Sequence, residues 1–146
     1  VIRRLFQPKR ANTITPNPRP LDGKTFLLGV GAQKSGTTWL YDYLKAHSAC
    51  AVPRHKELHV FDAAFRPNLF RTFADDRVKE LLDQLDRAEP EDRLHLTPTM
   101  RETMSIARAQ LDPSSYAQIF AHIPTDAHLT CDITPEYAAL GPGLSF

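Results

Sequence analysis

The stretch Thr25-Phe26-Leu27-Leu28-Gly29-Val30-Gly31, followed by Ala32-Gln33-Lys34-Ser35-Gly36-Thr37-Thr38, constrains the fold more than any other part of the chain. A short apolar run with aromatic and β-branched side chains is the pattern of a buried strand. Behind it, Thr37 to His47 sets Leu40, Tyr43 and Leu44 at helical spacing. The Ser/Gly/Thr opening of that helix supplies capping oxygens and a backbone free to turn sharply. A strand running through a small-residue loop into a helix is the first unit of an α/β fold.

The rest of the chain continues the alternation. Ala49 to Val52, broken by Pro53, predicts a second short strand, and the loop after it is Arg54-His55-Lys56-Glu57-Leu58-His59. Asp75 or Asp76 can cap a helix whose apolar stripe is Val78, Leu81, Leu82 and Leu85. Glu89 to Asp92 reads as a turn, and Thr99 to Leu111 as a helix stopped by Asp112-Pro113. Ser114 or Ser115 can start a short helix with Tyr116, Ile119, Phe120 and Ile123 inward, ended by Pro124. Ala127 to Ile133 predicts a third strand with Leu129, Cys131 and Ile133 on one face, before Thr134-Pro135-Glu136-Tyr137 turns the chain away. Strands separated by helices give the expected class: α/β, with a P-loop-like parallel sheet flanked by helices in three layers.

Composition sets the bounds. The 146 residues, 42% of them hydrophobic and 24% charged, suffice for one domain with a core and exclude a disordered or collagenous chain. A formal net charge of +1 gives no bulk attraction to nucleic acid, so an anionic ligand must be held by local geometry. Two cysteines, Cys50 and Cys131, are too few for a disulfide scaffold and are expected to be free core thiols. Residues 1 to 24, with six cations, one acid and four prolines, read as a basic, proline-rich arm or linker ahead of the domain at 25–146. No apolar run approaches the roughly 20 residues of a spanning helix, so a soluble, cytoplasmic segment is expected. The first residue is Val, which leaves room for upstream sequence.

Chemistry concentrates in the loop after the first strand. Small residues let backbone N–H groups approach an anion, the helix N-terminus adds partial positive charge, and Lys34 adds a mobile full charge. The hydroxyls of Ser35, Thr37 and Thr38 can wrap the remaining oxygens. The nucleotide-hydrolase pattern G-x-x-x-x-G-K-[ST] is not met, because Lys34 precedes Ser35-Gly36 instead of following a glycine.

Lys34-Ser35-Gly36-Thr37-Thr38-Trp39 resembles the hallmark of the sulfotransferases that use 3′-phosphoadenosine 5′-phosphosulfate (PAPS), residue for residue and in the same strand-to-helix context. The resemblance implies that Gln33 to Thr38 bind the 5′-phosphosulfate. It further implies that Lys34 stabilises charge on the bridging oxygen as sulfate departs, and that Trp39 stacks on adenine. Lys56-Glu57-Leu58-His59-Val60-Phe61-Asp62 is similar to the K-E-x-H-x-F-D segment of heparan-type and bacterial members, whose glutamate is the catalytic base. Carried over, Glu57 is the base, with His59 as the alternative base or an orienting group. Lys56 and Asp62 then lie on the acceptor side. An acceptor hydroxyl needs such a base to take its proton during attack. His55 and His59, four apart, invite a zinc reading, but no third ligand is placed and no metal is expected.

Cys131-Asp132-Ile133-Thr134-Pro135-Glu136-Tyr137 is similar to the G-[DE]-x-[TS]-P-x-Y stretch that borders the family's acceptor site, which implies acceptor contacts for Thr134, Pro135 and Tyr137. Ile133 stands where several relatives carry lysine, and Cys131 where glycine is usual, so that lysine's role is not transferred. The family's 3′-phosphate element, an arginine followed by a serine, comes after this stretch. The resemblance thus covers about residues 25 to 140, and the loop-like Gly141 to Phe146 suggests a truncated domain whose remaining part would be its partner. The implied activity is sulfuryl transfer from PAPS, leaving 3′-phosphoadenosine 5′-phosphate (PAP), to a hydroxyl or amine of a small molecule, glycan or lipid. Two alternatives stay open: a nucleotide kinase using Asp132 on magnesium, and a nucleotide-binding fragment without turnover.

Overall fold

The structure, a computed structural model, describes residues 19–141; most of the proline-rich arm and the last five residues lie outside it. Two strands, β1 (Thr25–Gly29) and β2 (Leu129–Ile133), pair in parallel with Thr25 opposite Leu129 and Gly29 opposite Ile133. A parallel pair needs a long crossover, and here the intervening chain forms four helices. They are α1 (Thr37–Ala46), α2 (Val60–Phe65), α3 (Pro67–Arg87) and α4 (Pro90–Leu111). A 3-10 helix, Pro113–Phe120, leads into β2, and a second, Pro135–Leu140, follows it.

The segment expected as a second strand, Ala49 to Val52, is reduced to a single parallel bridge, Cys50 to Leu129. Ala51 N–H donates to Leu129 O at 2.9 Å and His128 N–H to Ala49 O at 2.9 Å, so β2 lies between β1 and this segment. Pro53, two residues on from Ala51, has no N–H with which to extend the ladder.

Alternation along the strands divides the core. Leu27, Leu129, Cys131 and Ile133 pack with Tyr41 and Leu44 of α1, as the one-face pattern predicts. On the other side Phe26 packs with Leu58, Val60, Ile106, Ala109, Ile119 and Phe120, and its ring meets those of Phe120 and Tyr116 edge-on at 5.4 and 6.1 Å. Both cysteines are free, Cys131 buried and Cys50 half-buried.

Three helix boundaries depart from expectation, each for a local reason. α3 begins at Pro67, eight or nine residues before the expected acidic cap, because proline at the first helical turn loses no intrahelical bond. α4 begins at Pro90 with Glu91 and Asp92 favourable in its first turn, and it continues through Pro98 instead of starting at Thr99. The 3-10 helix is capped by Asp112, not by a serine: its Oδ1 accepts from Ser114 N–H at 3.1 Å and from the Ser114 hydroxyl at 2.7 Å. Leu82, expected inside, is 55% exposed; with Val78 it lines an open apolar cleft beside Ala63, Ala64 and Leu111. No helix among the described residues is long and apolar enough to cross a membrane.

Candidate active site

The loop between β1 and α1 carries positive φ at three residues, Gly31, Lys34 and Gly36. Gly36, the residue before α1, sits at φ 87°, and Lys34 at φ 61°, a conformation that non-glycine residues rarely adopt. Among the described residues, no side chain caps α1. The Leu40 N–H makes the first intrahelical bond, to Gly36 O at 3.1 Å, so the amides of Thr37, Thr38 and Trp39 precede the hydrogen-bonded ladder. Gly31 lets the loop pass close to the second 3-10 helix, since a Cβ there would stand 2.9 Å from Ala138 Cβ. Ser35 turns inward on the loop itself, donating to Ala32 O at 2.5 Å.

Across from this loop stands the segment that follows the Cys50 bridge. Together they line a cleft of about 370 Å³ formed by Gln33, Lys34, Gly36, Thr37, Thr38, Lys56, Glu57, Pro135 and Glu136. Lys56 Nζ pairs with Glu57 Oε1 at 2.5 Å, and Glu57 Oε2 lies 3.6 Å from His59 Nε2. On the other side of the ring, His59 Nδ1 is 2.7 Å from Asp62 Oδ2, both residues being buried. A carboxylate on one ring nitrogen leaves the other facing Glu57, an arrangement suited to orienting or relaying a proton.

Most of the residues expected from the sequence therefore converge. Gln33, Lys34, Gly36, Thr37, Thr38, Lys56, Glu57 and Pro135 line the cleft, with His59 and Asp62 directly behind Glu57. Trp39 does not join the lining: it is 69% exposed on α1, stacked on Tyr43 with ring centroids 5.5 Å apart. Thr134 and Tyr137 are buried with their hydroxyls engaged inside the protein, donating to Asp132 at 2.7 and 3.1 Å. Asp132 also accepts from Tyr116 at 2.7 Å. Burial pushes the Asp132 carboxyl upward, against the pull of these three hydroxyls, and raises the Tyr116 and Tyr137 phenols.

Two participants escaped the sequence reading. Glu136 lines the cleft and accepts from Gln33 Nε2 at 2.9 Å, bridging loop and 3-10 helix; its only signal was a charge in the turn after a strand. Arg77, in the middle of α3, donates to Glu57 O at 2.8 Å, a contact that no local spacing could announce. The metal question also changes shape. His55 does not meet His59; its Nε2 is 2.9 Å from Thr103 Oγ1. The described residues that could hold a cation are Glu57, His59 and Glu136, whose ligand atoms lie within 4.8 Å of one another, although Lys56 already occupies Glu57.

No curated protein and no solved structure matches the chain. A family model does: the one described as the sulfotransferase family matches residues 27–141, from within β1 to the end of the second 3-10 helix, and so spans both walls of the cleft. On that match, over far more than half of its residues, the chain belongs to the sulfotransferase family.

Proposed function

We propose that the chain transfers a sulfuryl group from PAPS to a hydroxyl or amine acceptor by in-line displacement. The observation that carries this reading is the shared cleft, in which Lys34 and the uncapped start of α1 face the Glu57 carboxylate. The donor's 5′-phosphosulfate lies along Gln33 to Thr38, where backbone N–H groups and hydroxyls meet its oxygens and Lys34 neutralises the departing bridge oxygen. Trp39 covers the adenine, for which its exposure on α1 leaves it accessible. Glu57 takes the acceptor's proton as the bond to sulfur forms, and His59, backed by Asp62, steadies or relays that proton. Lys56 and Pro135 border the acceptor, a small molecule, glycan or lipid, with Thr134 and Tyr137 buried behind that wall.

In this reading the small sheet belongs to a P-loop-like, three-layer domain that begins near residue 25 behind the basic arm, and the setting is cytoplasmic. The kinase alternative loses its magnesium carboxylate, since Asp132 is 1% exposed and engaged by three hydroxyls.

Transfer of labelled sulfate from PAPS to a panel of hydroxyl and amine acceptors tests the proposal. Glu57→Gln is expected to lower kcat by about 10²- to 10⁴-fold while PAP binding stays as in the wild type. Full activity in Glu57→Gln, or magnesium-dependent transfer of phosphate from ATP, contradicts it.

A further inference from the structure

A surface loop ordinarily leaves its backbone polar groups to water, but the segment that carries Glu57 and His59 does not. Arg77 Nη2 donates to Glu57 O at 2.8 Å, and Gln110 Nε2 donates to Leu58 O at 2.7 Å. Leu58 N–H donates to Thr134 Oγ1 at 3.0 Å, and Val60 N–H to the Tyr137 hydroxyl at 3.0 Å. The four side chains come from α3, α4, the residue just after β2 and the second 3-10 helix. Each of the two hydroxyls must send its own hydrogen elsewhere if its lone pair is to face the loop. Both send it to one group, Thr134 to Asp132 Oδ1 and Tyr137 to Asp132 Oδ2. Between the two clamped amides, His59 is held at φ 52°, a conformation that an L side chain rarely adopts unless its surroundings impose it.

We infer that Asp132, Thr134, Tyr137, Arg77 and Gln110 are positioning residues that fix the backbone of residues 57–60, with the buried Asp132 carboxylate aiming the two hydroxyls that grip it. The inference rests on reading Glu57 as the proton acceptor. A buried carboxylate costs free energy that an apolar core would not, and here what it serves is the direction of hydroxyl hydrogens toward itself. Because a misplacement of about 1 Å costs a rate of the order of 10²-fold, such a harness acts on turnover and leaves the donor loop at residues 33–38 untouched.

The test uses the whole chain with Thr134→Val, Thr134→Ser and Tyr137→Phe, reading amide hydrogen exchange at Leu58 and Val60 together with transfer kinetics. Thr134→Val is expected to speed exchange at Leu58, and Tyr137→Phe at Val60, by about ten-fold each, as for one lost hydrogen bond. In both, kcat falls by about 10²-fold with donor KM unchanged, whereas Thr134→Ser, which keeps the hydroxyl, restores exchange and rate. Tyr137→Phe keeps the ring packed on Phe61, 5.3 Å away, so one variant retains the core even if the other weakens it. Wild-type exchange at Leu58 and Val60 in folded variants, or unchanged kcat, overturns the inference. Altered exchange in a chain whose wild type transfers no sulfuryl group upholds the harness and removes the transfer reading instead.

Discussion

At Gly31 the absence of a side chain decides how close the loop between β1 and α1 can come to the second 3-10 helix. With φ at 139°, an added Cβ would meet Ala138 Cβ at 2.9 Å and Pro135 O at 3.2 Å, and neither neighbour is a flexible chain end. Gly31→Ala is therefore expected to destabilise the fold by about 2 kcal/mol, the scale of a strained backbone residue, seen as a lower urea midpoint. Gly36→Ala, with nothing within 4 Å of the new Cβ, meets only the left-handed penalty of about 1 kcal/mol. Gly31 thus combines a positive φ with close approach, whereas Gly36 has the positive φ alone. Single residues also show what could be read without coordinates. Lys34, Glu57 and His59 stood out because their neighbours in sequence are also their neighbours in the cleft. Arg77 and Gln110 did not, because their partners lie 20 and 52 residues away.

Among the elements, α4 shows how tertiary packing overrides a local breaker. Pro98 removes one backbone donor from the middle of a 22-residue helix, yet Thr103, Ile106, Ala109 and Gln110 farther along bury one face of it against the core. Pro98→Ala should restore the missing bond and raise stability by about 1 to 3 kcal/mol, measurable as a higher thermal midpoint; a lower midpoint would mean that the ring's own packing outweighs the bond. The same helix explains why its start was misread, since a proline ordinarily marks a helix boundary. α2 was missed for a different reason: Val60–Phe65 is too short to display a helical period, and it exists because Val60, Asp62 and Ala63 are buried. The strand pair and α1 were legible because apolar runs and small-residue loops are local signals. The Ala49 to Val52 segment was overread, because its apolar character reflects contact with α1 and β2, and not a full ladder.

For the molecule as a whole, the contact between α4 and the loop before Glu57 links stability to pH. Burial first, then the charges of Arg77 and Arg54, pull the His55 imidazole down from its ordinary 6.5 to about 4. The unfolded chain takes up a proton below pH 6.5 that the folded chain refuses until about 4, so this contribution to stability is whole above pH 6.5 and is lost as pH falls through that window. Glu102, whose carboxyl burial pushes upward and which accepts from His55 N–H at 2.9 Å, works in the opposite direction and is common to wild type and variant. His55→Gln should therefore lose less stability than wild type between pH 7 and pH 5, as read from thermal midpoints at the two values; equal losses would remove His55 as the cause. The central claim is that the cleft between the Lys34 loop and Glu57 receives a 3′-phosphorylated adenosine nucleotide. It is tested most directly by titrating the chain with PAP, beside ATP with magnesium, while following the fluorescence of Trp39, the single tryptophan. The account predicts saturable, PAP-preferring binding that Lys34→Ala weakens by at least about ten-fold, as for one lost charge-assisted contact; tighter magnesium-dependent binding of ATP, or PAP binding untouched by Lys34→Ala, would contradict it.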